Sequence, residues 1–236
     1  MTEEHLNDEQ QVAETVDPTP ERKQEPRPIR QPAGLDLFEA TGSDVEEMKQ
    51  RLFKESKGRE LYYQEIDHED GSFTVFGYLR TQILDLIYEK AYPIIKIIDD
   101  RAAIKVKSNR AVTEFFVIVQ TRRGGAFIGQ HGQTLDALET LVSHTVSRTF
   151  PRWLSICVDA DKYRQKRQSF LEGLIKKVVR EIERDHRERP MKGLLPKERK
   201  FVHQYFSGHP YLTTESRGKR ADRMLFILPR KDIREV

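Results

Sequence analysis

The chain has 236 residues, long enough for one large domain or two to three small ones, and 41 Lys and Arg against 38 Asp and Glu leave it nearly balanced in charge. Its single cysteine, Cys157, excludes an internal disulfide framework, and no run approaches the ~18 consecutive apolar residues that a bilayer span requires. Residues 1–34 also lack an apolar stretch of signal-peptide length, so a soluble, cytoplasmic protein is expected. The near-balance hides an asymmetry. Residues 1–40 hold four basic and ten acidic side chains, 41–100 eight and thirteen, and 101–236 hold 29 and 15. An acidic front and a basic back point the C-terminal half toward a polyanion.

Residues 1–33 are polar and rich in Glu, Gln and Pro, too poor in apolar surface to offset ordering entropy, and are expected to be disordered. "LDLFEA" from Leu35 reads as a strand, and "SDVEEMKQRLFKES" as a helix capped by Ser43 or Asp44. "ELYYQEID" and "SFTVFGY" flank the turn-like "HEDG", giving a small β-α-β-β unit over 34–78. A second unit, 79–159, opens with a helix carrying Leu79, Ile83, Leu86 and Ile87 and ending at Pro93. "IIKII", "AAIKVKS" and "TEFFVIVQT" read as strands. A short helix and a glycine-rich loop follow, then a helix over 133–149 with Leu135, Leu138, Leu141, Val142 and Val146 as its buried stripe, and "WLSICVD" as a strand. The third unit, 160–236, starts with a long helix over 160–187, stopped by Pro190. "PMKGLL" as a strand, a helix over 196–207 and the strands "YLTTES" and "RMLFILP" complete it. The expected fold class is therefore α+β and multi-domain.

The loop "RRGGAFIGQHG" places four glycines in residues 122–132. Gly124 and Gly129 have the glycine spacing of a P-loop, but Gln130 stands where the phosphate-neutralising lysine is needed. A dinucleotide fingerprint fails on its glycine order and on the absence of a parallel strand–helix–strand context. What remains is Gly129-Gln130-His131-Gly132, a Gly-x-x-Gly turn between a short helix and a longer one, where bare backbone can approach a sugar-phosphate chain. With Ile128, the helix "QTLDALETLV" and the preceding strands, this segment resembles a KH domain of the bacterial type. That resemblance implies a clamp on about four nucleotides of a single strand. The family often has Lys or Arg inside the pair; here Gln130 and His131 stand there, and Arg122 and Arg123 upstream are the expected substitutes for the missing charge.

Farther on, Arg199 and His203 lie four residues apart on an expected helix, hence on one face. A guanidinium beside an imidazole can hold a phosphate from two directions. "TTESRGKRADR" adds the hydroxyls of Thr213, Thr214 and Ser216 and the cations Arg217, Lys219, Arg220 and Arg223. This segment resembles the Arg-x-x-x-His domain, a single-strand nucleic-acid-binding module.

The two modules in this order resemble the Jag (SpoIIIJ-associated, or KhpB) family of bacterial RNA-binding proteins over about 79–230. The order β-α-β-β at 34–78 is similar to that family's small N-terminal domain. The resemblance implies cytoplasmic binding of single-stranded RNA, post-transcriptional control linked to cell division or envelope growth, and association with a smaller KH-domain protein. No cofactor, metal or small-molecule substrate is expected. Catalysis is disfavoured by the lack of His-Glu-x-x-His and Cys-x-x-Cys motifs and by sparse carboxylates near the basic sites; His68, Glu69 and Asp70 are explained by a turn at Gly71. The alternatives are a protein–protein adaptor with incidental nucleic-acid contacts and a single-stranded DNA binder.

Overall fold

The computed structural model describes residues 34–219 and 222–230. Within them lie three three-stranded sheets, each backed by helices, as expected of a multi-domain α+β chain. The disorder expected for residues 1–33 lies outside the described residues.

The first sheet has the order β1 (Leu37–Gly42), β3 (Phe73–Leu79), β2 (Leu61–Asp67), all antiparallel. Helix α1 (Val45–Glu55) begins at Asp44, whose carboxylate accepts from the amides of Glu46 and Glu47 at 2.9 and 3.0 Å. Strand alternation gives this sheet two apolar faces. Leu61, Val75 and Leu79 pack on Met48 and Leu52 of α1, while Tyr62, Ile66, Phe76 and Tyr78 join the core of the middle unit. Buried Gln64 fastens the join. Its amide nitrogen donates to the Arg152 carbonyl (2.9 Å) and its oxygen accepts from the Arg152 amide (3.1 Å). At the "HEDG" turn Asp70 accepts from the amide and hydroxyl of Ser72, and His68 Nε2 meets the Thr74 hydroxyl at 2.8 Å.

Helix α2 runs from Arg80 to Ile98 with Pro93 inside it, so neither the expected stop at Pro93 nor a strand at "IIKII" occurs. Ile83, Ile87, Ala91 and Ile95 hold a four-residue spacing across the proline and are buried. An interior proline costs roughly 3 kcal/mol. Burying Ile95 alone returns roughly 1.5–3 kcal/mol, and Ile94 and Ile98 pack on the same core.

The middle sheet is β4 (Ala103–Ser108), β5 (Glu114–Gln120), β6 (Ser155–Ala160); β4 pairs antiparallel with β5, and β5 pairs parallel with β6. The crossover joining the parallel pair holds α3 (Gly124–Ile128), the glycine turn and α4 (Gln133–Ser147). The glycine loop therefore does sit in a parallel strand–helix–strand unit, contrary to the sequence reading, which had no means of pairing β5 with a strand some 40 residues on. Its glycine order still fits no dinucleotide fingerprint. On α4 the buried stripe is Leu135, Leu138, Val142 and Val146; Leu141, expected in it, is half exposed.

Asp161 and Lys162, both left-handed, turn the chain into α5 (Tyr163–Asp185), which ends at left-handed His186, four residues before Pro190. Strand β7 is only Arg189–Met191 because Gly193, at φ +68°, turns the chain toward α6 (Pro196–Phe206). Strands β8 (Leu212–Arg217) and β9 (Met224–Pro229) close an antiparallel sheet of order β7-β9-β8 over Leu171, Ile175, Ile182, Val202 and Phe206. No helix among the described residues is long and apolar enough to cross a membrane.

Candidate nucleic-acid interface

The glycine turn owes both its glycines to close packing. Gly129 has φ +66° and ψ −167°, and a Cβ there would lie 2.1 Å from the Thr134 hydroxyl oxygen. Gly132 has φ +90°, and its Cβ would lie 2.8 Å from Cε1 of Tyr163. Between them Gln130 is exposed, and His131, itself left-handed at φ 53°, is half-buried against Gly193. Ile128 is half-buried on the middle core rather than freely displayed.

The backbone here offers fewer donors than the sequence implies. The Gly129 amide donates to the Gly125 carbonyl at 2.9 Å, and the Gln133 amide closes onto the Gln130 carbonyl. Arg122 and Arg123 are not brought to the turn. They lie at the other end of α3, by a cavity of about 970 Å³ that also holds Asp99, Asp100 and Asp161, and Arg123 donates to the Ile98 carbonyl at 3.1 Å. The five-residue α3 separates them from Gly129, so they do not replace a cation inside the turn.

The turn does not stand alone, because the C-terminal unit packs on it. Asp136, in the first turn of α4, accepts from Arg164 of α5 (3.3 Å) and from Lys197 of α6 (2.5 Å). Arg164 also reaches Glu139 at 2.6 Å. Arg167 binds the buried carboxylate of Glu198 at 2.7 and 3.2 Å, and Glu198 in turn accepts from the Leu195 amide that opens α6.

On the opposite face of α6 lies a shallow depression of about 470 Å³, formed by Arg199, Lys200, His203, Ser216 and Arg223 with Pro196, Gln204 and Ser207. Arg199 is braced by the Leu194 carbonyl at 2.8 Å. Among the described residues neither Arg199, Lys200 nor Arg223 forms an ion pair. His203 differs from its expected role. Both ring nitrogens are occupied, Nδ1 by the Thr214 hydroxyl (2.7 Å) and Nε2 by the Ser216 hydroxyl (2.9 Å), so the ring ties α6 to β8 instead of offering a free edge to phosphate. Burial lowers its pKa, and Arg223 and Arg199 lower it further, so the ring is held neutral.

Strand alternation sorts the remaining candidates. Thr214 and Ser216 face His203, while Thr213 is exposed. Arg217 is drawn away from the depression by Glu188 (2.9 Å) and Glu215 (2.8 Å) and lies over the Phe226 ring, leaving its charge neutralised. Lys219 is exposed beyond β8 and does not line the depression; Arg220 lies outside the described residues. Sequence reasoning missed Lys200, whose only signal was its place beside Arg199. It also missed Tyr163 and Lys197, which reach the glycine turn through tertiary packing.

Comparison with known proteins agrees with this division. The family model of the Arg-x-x-x-His domain matches residues 169–229, which span most of α5 through β9. An RNA-binding protein KhpB from Clostridium symbiosum is 25% identical over 210 residues, covering 85% of this chain and 95% of that protein. The RNA-binding protein KhpB of Bacillus subtilis (strain 168) is 27% identical over 136 residues, 57% of this chain and 64% of its own length. That of Lactiplantibacillus plantarum is 27% identical over 111 residues, and the chain spans 34% of its length. The chain is thus a homologue of the KhpB (Jag) proteins over much of its length, with an Arg-x-x-x-His domain in its C-terminal third.

Proposed function

We propose that this chain is a non-enzymatic binder of single-stranded RNA that holds one strand at two places, the Gly129–Gly132 turn and the depression between α6 and β8. The observation carrying this reading is the convergence of Arg199, Lys200 and Arg223 on one depression without a carboxylate partner among the described residues. Neighbouring Arg164, Arg167, Lys197 and Arg217 are all neutralised. Unpaired cations at a common point attract a phosphate backbone, and the segment that holds them matches the Arg-x-x-x-His domain model. The relatives are named RNA-binding proteins, which supports RNA as the strand.

The segment 79–159 acts as the KH-like half. Its turn meets the backbone through exposed Gln130 and half-buried His131, with no cation of its own, so it contributes the weaker grip. Two modest sites on one chain multiply affinity through effective concentration. Kinship extends the reading to a cytoplasmic post-transcriptional regulator, linked to cell division or envelope growth and paired with a smaller KH-domain protein.

Fluorescence anisotropy with a labelled single-stranded RNA tests the reading. Paired substitutions Gln130→Asp with His131→Asp, and Arg199→Ala with Lys200→Ala, should each weaken binding while circular dichroism stays unchanged. Unchanged affinity in both would overturn it. Equal affinity for single-stranded DNA would widen the ligand to any unpaired strand.

A further inference from the structure

Between the two proposed sites lies a second concavity, of about 360 Å³, bounded by His131 of the glycine turn, Tyr163, Arg167 and Gln168 of α5, and Lys197 and Phe201 of α6. Its volume is near the lower end of the range for small-ligand pockets. It differs in kind from the basic depression. Lys197 is paired with Asp136 and Arg167 with Glu198, so its cations carry no free charge for a phosphate. The remaining lining is aromatic and amphipathic. The Tyr163 ring is half-buried against Gly132, and Phe201 is half-buried on the C-terminal core. Exposed Gln168 sets a side-chain amide, which both donates and accepts, at the rim.

Position gives this slot its meaning. Helix α6 divides two concavities. Lys197 and Phe201 face the glycine turn, whereas Arg199, Lys200 and His203 face the depression. Pro196, at the exposed start of α6, stands at the edge between them. A strand passing from the glycine turn to the depression must cross this slot. There its backbone meets neutralised charge, and its bases meet two rings.

We propose that this slot is a nucleobase subsite, in which one unpaired base inserts beside Tyr163 and Phe201 while its edge is read by the Gln168 amide. This rests on the reading of the chain as a single-strand binder and adds the element that joins its two sites. Aromatic faces accept bases with little sequence preference, whereas an amide at the rim adds a modest choice among them.

The test separates this subsite from the reading beneath it. The probe is a short oligoadenylate, with a matched oligomer carrying a single abasic position. Phe201→Leu keeps the apolar bulk and removes the π-face. It should weaken binding about tenfold with the salt dependence unchanged, because a stacking contact releases no counterions. Phe201→Trp, against the constant background of Trp153, should lose fluorescence when the intact oligomer binds. An abasic position in the register that fills the slot should lessen that loss. If the unsubstituted chain binds the oligomer but Phe201→Leu binds equally well and the Phe201→Trp signal is unmoved, the subsite is overturned and the two-site reading stands. If the unsubstituted chain binds no single strand, both fall.

Discussion

Gly132 and Tyr163 are 31 positions apart in sequence and in contact in the fold, and that contact decides what the glycine is for. A side chain at 132 would meet both a left-handed φ and the tyrosine ring. Gly132→Ala should therefore cost about 1–3 kcal/mol of stability, measured as a shift in the urea midpoint, even with no nucleic acid present. An unchanged midpoint would show that the turn relaxes and that the glycine serves only ligand approach. His203 gives the second prediction at this scale. Its folded pKa lies below its ordinary value of 6.5, so around that value the unfolded chain binds more protons than the folded one. The stability it contributes is fully present above pH about 6.5 and is lost as pH falls through the folded pKa. Calorimetric melting from pH about 7.5 to about 5 should show an acid-side loss that His203→Gln lacks. Equal acid sensitivity in both proteins would contradict the neutral strut. The residue types at 129–132 and at 199 and 203 were legible in sequence because motif spacing is local. Their partners were not, since Tyr163, Thr214 and Ser216 arrive by tertiary packing.

Element existence was legible where the apolar period was clean, as in α1, α5 and the β2–β3 hairpin. It failed at α2, where a local rule about proline competed with a buried stripe that only the packed fold reveals. The same competition shapes α6, whose first turn is held by Glu198, a buried carboxylate fixed by Arg167 and by the Leu195 amide. Arg167→Met strands that carboxylate. It should destabilise the C-terminal unit by about 3 kcal/mol, with part recovered on adding Glu198→Gln, whose amide is neutral. Denaturant unfolding of the single and double variants measures this, and a harmless Arg167→Met would show that the pair is dispensable. In β3 the Tyr78 hydroxyl is buried without a hydrogen-bond partner, beside the Phe150 ring at 5.0 Å. Tyr78→Phe should raise stability by about 1 kcal/mol, since it removes an unsatisfied polar group and leaves the ring packing in place. A loss of stability would mean the hydroxyl is solvated in solution.

At the scale of the molecule, an acidic front and a basic rear were visible in the sequence, but the joints between units were not. Gln64 bonds to the backbone of Arg152 across 88 positions, and Asp136 gathers Arg164 and Lys197 from two helices. No pattern in the sequence marks such long-range pairs, because each residue reads as an ordinary polar surface position. Their effect is to fix the glycine turn beside α6, so that the proposed sites lie along one path. They also consume cations that a count of charges assigns to the ligand. Of the cations expected at the second site, Arg199 and Arg223 line the depression, and Lys200, which the sequence reading passed over, completes the unpaired set. The most direct test is therefore the slope of log affinity against log salt concentration for a short single-stranded RNA, compared between the unsubstituted chain and the triple variant Arg199→Ala, Lys200→Ala, Arg223→Ala. Loss of three phosphate contacts should flatten the slope by about 2, whereas an identical slope in the two proteins would contradict a phosphate backbone lying on α6.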